Sequence, residues 1–146
     1  MESNFEKVAT FNKTAGVECH TDPLGPEVFV KHPKMIATCI GLIREEVSEL
    51  EEALLNRDLV ETRDALADIL YVVYGMAYRL GINADADFSL VHESNMTKFC
   101  SSEAEAQSTV DYYKRRYAEN ASPYPSPDYR FENGRWVVYE STTGKI

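Results

Sequence analysis

The stretch Asp64-Ala65-Leu66-Ala67-Asp68-Ile69-Leu70-Tyr71-Val72-Val73-Tyr74-Gly75 decides how this chain is read. No charged residue occurs from Ile69 to Tyr78, while two acids stand at the entrance to that run. A helix that is apolar all round is buried on most of its sides. Asp68 therefore sits at the mouth of a core segment, where an unpaired carboxylate is costly. Upstream, Asp58 occupies an N-cap position with Glu61 at the capping-box site, and Gly81 stops the helix after about Leu80. The capping position is sufficient to explain Glu61.

A second acid cluster lies just before this helix, Glu45-Glu46-Val47-Ser48-Glu49. Ile36, Ile40, Ile43, Val47, Leu50 and Leu54 recur at steps of three and four, which predicts a helix over residues 34–55 with one apolar stripe. Pro33 suits its first turn. With Glu45 placed at zero, Glu49 falls at about 40° and Glu46 at about 100°, and the stripe centres near about 180°. The three acids share a sector, with Glu46 at the edge of the buried stripe. On the following helix Asp64 lies about 40° to one side of Asp68 and Ala65 about 60° to the other.

Two such helices facing each other could present several carboxylates to one ion or a pair. All-oxygen ligation suits Mg²⁺ or Mn²⁺ rather than zinc, and Mg²⁺ completes its shell with water and substrate phosphates. The plainer alternative is an acidic helix face that is simply solvated.

Elsewhere the pattern is helical until the tail. Ser3 with Glu6 opens a short first helix that ends near Gly16, and residues 17–33, with Pro23, Gly25 and Pro26, read as an irregular connection. Segments 85–99 and 102–118 read as two more helices, the latter capped by Ser102 with Glu105. Pro123, Pro125 and Pro127 make 120–128 a non-helical linker. Asn133-Gly134, between Tyr129-Arg130-Phe131-Glu132 and Arg135-Trp136-Val137-Val138-Tyr139, predicts a two-residue hairpin. A lone hairpin is marginal in water and must pack on helices or on another subunit.

The chain of 146 residues suffices for one domain with its own core. A formal charge of −9 argues against nucleic-acid backbones and anionic membranes as partners, and an anionic ligand would need cations to mediate its binding. Cys19, Cys39 and Cys100 are far apart, as expected of free thiols in a reducing compartment. Met1-Glu2-Ser3-Asn4 has no basic region leading into an apolar stretch, so a cytoplasmic location is expected.

Together these residues resemble the all-α nucleoside triphosphate pyrophosphohydrolases, the superfamily of MazG, dimeric dUTPase and phosphoribosyl-ATP pyrophosphohydrolase. The family pattern is E-E-x-x-E on one helix and E-x-x-D on the next. The first half matches Glu45, Glu46 and Glu49, and the final Asp matches Asp68. A third block, Phe88-x-x-Val91-His92-x-x-Asn95-Met96-Thr97-Lys98, is similar to the phosphoribosyl-ATP-pyrophosphohydrolase-like branch. One departure stands out: Ala65 occupies the position of the Glu in E-x-x-D, and Asp64 is the neighbouring acid that could replace it.

The resemblance implies an all-α, MazG-like bundle of four or five helices over residues 1–118, with a Pro-rich linker and hairpin over 119–146. It implies Mg²⁺-dependent hydrolysis of a nucleoside triphosphate to the monophosphate and pyrophosphate, in deoxynucleotide pool control, by a homodimer or homotetramer. Glu46, Glu49, Asp64 and Asp68 would hold the metal, with Glu45 as a base or an outer ligand. Asn95 and Lys98 would bind phosphate. His92 would orient a ligand or serve only in packing, and Phe11 or Asn12 would contact the base. Two alternatives remain open: a dUTP/dUDP or phosphoribosyl-ATP hydrolase using the same site, and a non-catalytic metal- or nucleotide-binding oligomer, which the alanine at position 65 favours.

Overall fold

The computed structural model describes residues 1–19 and 25–146; His20 and Pro23 lie outside the described residues. The elements run α1 (Asn4–Thr14), α2 (Val28–Lys31), α3 (Pro33–Leu55), α4 (Leu59–Arg79), α5 (Ala84–Met96), β1 (Phe99–Cys100), α6 (Glu103–Ala118), β2 (Pro127–Glu132) and β3 (Arg135–Glu140). The chain is mostly helical with a small antiparallel sheet near its C-terminal end, as the sequence predicts. It divides into two compact units, Met1–Phe88 and Ser89–Ile146, and the division falls within α5.

In the first unit α4 packs against α3 on one side and α1 on another. Local chemistry sets the ends of each helix. Ser3 and Glu6 form a complete capping box at α1, and Gly16 follows its end at φ +69°. Pro33 fills the first turn of α3. Between α3 and α4 the chain reverses in a few residues. Arg57 takes a left-handed φ of 56°, the Asp58 amide donates to the Ala53 carbonyl, and the Asp58 carboxylate accepts from the Val60 and Glu61 amides. So short a turn makes the two helices antiparallel neighbours. Small buried residues on each, Ala53 and Ala65, lie among the unit's buried core with Val8, Val28, Cys39 and Tyr78.

The apolar stripe of α3 is less covered than its periodicity predicts. Val47 and Leu54 are exposed, as are Leu66, Leu70 and Val73 on α4. A short helix, α2, interrupts the connection that reads as irregular.

The second unit packs α6 on a three-stranded antiparallel sheet of order β1-β3-β2. Asn133 and Gly134 both have positive φ, 51° and 80°, which is the two-residue primed turn that this dipeptide favours. The hairpin is not alone. Phe99, expected to end a helix, and Cys100 after it form β1 and pair with Val137 and Trp136 of β3. Cys100, Ala106, Val110 and Val138 then make a small core, over which Tyr129 and Trp136 pack. The strand is absent from the helical reading because its pairing partner lies some forty residues away in sequence, as the Phe99–Val137 register shows.

One buried carboxylate ties this unit together. Glu140, 4% exposed, accepts from the Ser126 amide at 3.0 Å, the Thr142 hydroxyl at 2.8 Å and the Thr142 amide at 3.3 Å. Burial raises its pKa, but these three donors outweigh burial and leave it below the usual carboxylate value. A depressed folded pKa contributes stability above the unfolded pKa and loses it as pH falls through the folded one. We expect Glu140→Gln to lower the Tm by several degrees at pH 7. The gap should close in thermal scans toward acid pH, as the pH falls through the depressed folded pKa and wild type also protonates.

Candidate active site

The turn at Arg57 dictates what α3 and α4 can bring together. Glu46 and Asp68 lie the same number of residues to either side of it, and so at matching heights on antiparallel helices. Glu49 and Asp64 lie nearer the turn, one residue out of step with each other in their distance from Arg57. Glu46 and Asp68 are half-buried, while Glu45, Glu49 and Asp64 are exposed. This is the order that helical phase predicts, with Glu46 at the edge of the buried stripe.

Electrostatics shows that the acids share one field. The Glu46 carboxyl is pushed above its ordinary pKa, first by burial and then by repulsion from Glu49, Asp68, Glu45 and Asp64, in that order. Carboxylates from both helices therefore act on one side chain. Asp64 is among them, whereas Ala65 is buried at 4% exposure on a neighbouring face of α4. An added cation would relieve such a cluster.

Among the described residues, no three His, Cys, Asp or Glu side chains converge into a finished metal cage. The donor set nonetheless fits a hard cation. It is all oxygen, and Mg²⁺ needs only one or two protein carboxylates besides water and phosphate. Glu45, Glu49 and Asp64 are exposed, so packing does not lock their side chains.

Asn12 lies on the α1 side of α4. It is buried, and its amide nitrogen donates to the Val8 carbonyl at 2.9 Å. A β-carbon at Gly75 would stand 3.9 Å from that nitrogen. Nearby rings pair α1 with α4, Phe11 with Tyr71 at 5.6 Å and Phe5 with Tyr74 at 6.2 Å. These contacts give Tyr71 and Tyr74 a packing role. His92, Asn95 and Lys98 belong to the second unit. His92 and Asn95 are exposed, and the half-buried Lys98 donates to the Ile146 carbonyl oxygen at 2.9 Å.

The sequence pattern of the phosphoribosyl-ATP pyrophosphohydrolase family matches residues 10–95, which include both acid clusters and Asn12, His92 and Asn95. The chain belongs to this family. It thereby falls within the MazG-like nucleoside triphosphate pyrophosphohydrolase superfamily, whose members are typically divalent-metal dependent. Uncharacterized protein L479 of Acanthamoeba polyphaga mimivirus is 41% identical to it over 83 residues, which is 57% of this chain and 33% of that protein. The chain thus spans about a third of the length of this curated relative.

The raised pKa of Glu46 yields a signed expectation for this member of the family. Because the folded pKa exceeds the unfolded one, folding favours the protonated form, and that stabilisation is lost as pH rises through the folded pKa. Glu46→Gln mimics the protonated state. In cation-free buffer it should raise the Tm at pH 7 and have no advantage near pH 4. An unchanged or lower Tm at pH 7 would remove the acid cluster as a source of repulsion.

Proposed function

We propose that the chain is a Mg²⁺-dependent nucleoside triphosphate pyrophosphohydrolase, converting a (d)NTP and water to the (d)NMP and pyrophosphate in deoxynucleotide pool control. What carries this reading is that the residues matched to a pyrophosphohydrolase family include both acid clusters, which stand on the packed helices α3 and α4. Glu46, Glu49, Asp64 and Asp68 would hold the cation or a pair of cations, with water and phosphate completing the shell. The chemistry that a bound Mg²⁺ supplies is polarisation of the phosphate oxygens and a lower pKa for the attacking water.

Glu45, exposed at the edge of the cluster, takes the proton as the water oxygen bonds to the α-phosphorus. The bond from that phosphorus to the bridging oxygen breaks, and pyrophosphate leaves with the electron pair. Buried Asn12 contacts the base from α1. Asn95, Lys98 and His92 are assigned to the phosphates by their motif alone. Asp64 replaces the glutamate of the family pattern, and its share in the repulsion on Glu46 supports this.

The apolar side chains left open on Leu42, Val47, Leu66, Leu70 and Val73 support a homodimer or homotetramer. The name of the matched family makes phosphoribosyl-ATP the second substrate to test, since its cleavage breaks the same type of α–β phosphoanhydride.

Pyrophosphate release from each (d)NTP and from phosphoribosyl-ATP, with and without Mg²⁺, tests the reading. Turnover on a (d)NTP that disappears with chelator is expected. Asp68→Asn and Glu49→Gln should each reduce kcat by roughly a hundredfold or more. Asp64→Ala should do the same, and a kcat near wild type would remove Asp64 from the ligand set. No turnover on any of these nucleotides overturns the enzymatic reading.

A further inference from the structure

We infer that the second unit carries a nucleotide-binding pocket of its own, lined by tyrosines and lysines and lying outside the residues that match the family. A cavity of about 380 Å³ opens between α6, the sheet and the segment after β3. That volume is in the range of about 300–1,000 Å³ occupied by small-molecule sites. Its lining lies wholly within the second unit and holds none of the acids around Glu46; it shares only Lys98 with the residues assigned above to the hydrolysed substrate, so the inference is carried by the tyrosines and Lys145.

The walls are unusually aromatic. Tyr112 and Tyr113 come from α6, Tyr124 from the linker and Tyr139 from β3. Tyr113 meets Tyr112 at 5.4 Å and Tyr124 at 5.8 Å, both edge to face. Tyr112 remains 49% exposed, which leaves it open to a stacked ring. Flat aromatic ligands stack on such side chains whatever the base, because every base has a π-face.

The charges at this cavity select the rest of the ligand. Its charged side chains are Lys98, Lys145 and Glu140. The carboxylate of Glu140 is engaged by Ser126 and Thr142. Lys145 lies 5.6 Å from the centre of the Tyr124 ring, and the side-chain ion pair among the described residues is Arg130–Glu132, so no carboxylate neutralises Lys145. A cationic ligand would have to displace Lys145 from that ring. An anion gains from Lys145, whereas Lys98 is already held by the Ile146 oxygen at 2.9 Å, in a chain whose formal charge of −9 repels a nucleic-acid strand. A base for the tyrosines and one phosphate for Lys145 describe a nucleoside monophosphate.

Calorimetric titration of the full chain in EDTA tests this, using AMP and UMP with adenosine, uridine and inorganic phosphate as separate arms. The monophosphates should bind saturably, with each partial ligand roughly tenfold weaker or worse. Lys145→Ala and Tyr124→Ala should each weaken binding by roughly tenfold, whereas Lys145→Arg should restore most of it and Glu49→Gln should leave it unchanged. Thermal scans check that each variant folds, and Tyr112→Ala replaces Tyr124→Ala if the latter does not. The inference is overturned by no monophosphate binding, by phosphate binding as tightly as AMP, or by affinity that survives the pocket variants. Loss of binding in Glu49→Gln instead would assign the nucleotide to the acid cluster.

Discussion

The tight reversal at Asn56-Arg57-Asp58 is the constraint on which the first unit depends. It stores one left-handed residue, and the Asp58 carboxylate satisfies amides that the start of α4 would otherwise leave unpaired. In return it fixes two long helices antiparallel with a defined register. With small residues at Ala53 and Ala65 buried in the same unit, the register also sets which acids oppose one another. A longer or looser turn would let α3 slide along α4. Glu46 would then lose Asp68 as its neighbour at the same height.

That register works against the stability of the metal-free chain. Like charges gathered beside a core segment repel, and Glu46, half-buried among four other carboxylates, registers the effect. A fold optimised for stability alone would not place them together. The arrangement accords with a site whose natural complement is a hard cation and a polyphosphate. Ala65 refines this picture: it is buried in the helical core, while the exposed Asp64 next to it shares in the field at Glu46.

The second unit obeys a different logic. Its core is small, and polar ties do much of the joining: Glu140 to Ser126 and Thr142, Glu105 to Ser101, and Tyr129 to Glu103. Because β3 lies between β1 and β2, residues from widely separated parts of the chain meet on one small sheet. The tyrosine-lined cavity arises from that convergence.

The helices were legible in the sequence because their signals are local. Ser3 with Glu6, Pro33, Asp58, Gly81 and Ser102 each mark an end by chemistry within one turn, and the apolar steps of α3 and the uncharged run of α4 need no distant partner. Asn133-Gly134 specified its turn for the same reason: only residues that tolerate positive φ serve there. The two acid clusters were equally visible, and helical phase already separated Glu46 from Glu49. What only the tertiary structure decided was non-local. It paired Phe99 with Val137, left Val47 and Leu70 uncovered, buried Ala65 while giving Asp64 a share in the field at Glu46, and gathered Tyr112, Tyr124 and Lys145 around one cavity. Periodicity reports the face a residue occupies on its own element, whereas strand pairing, burial and electrostatic neighbours depend on which other element meets that face.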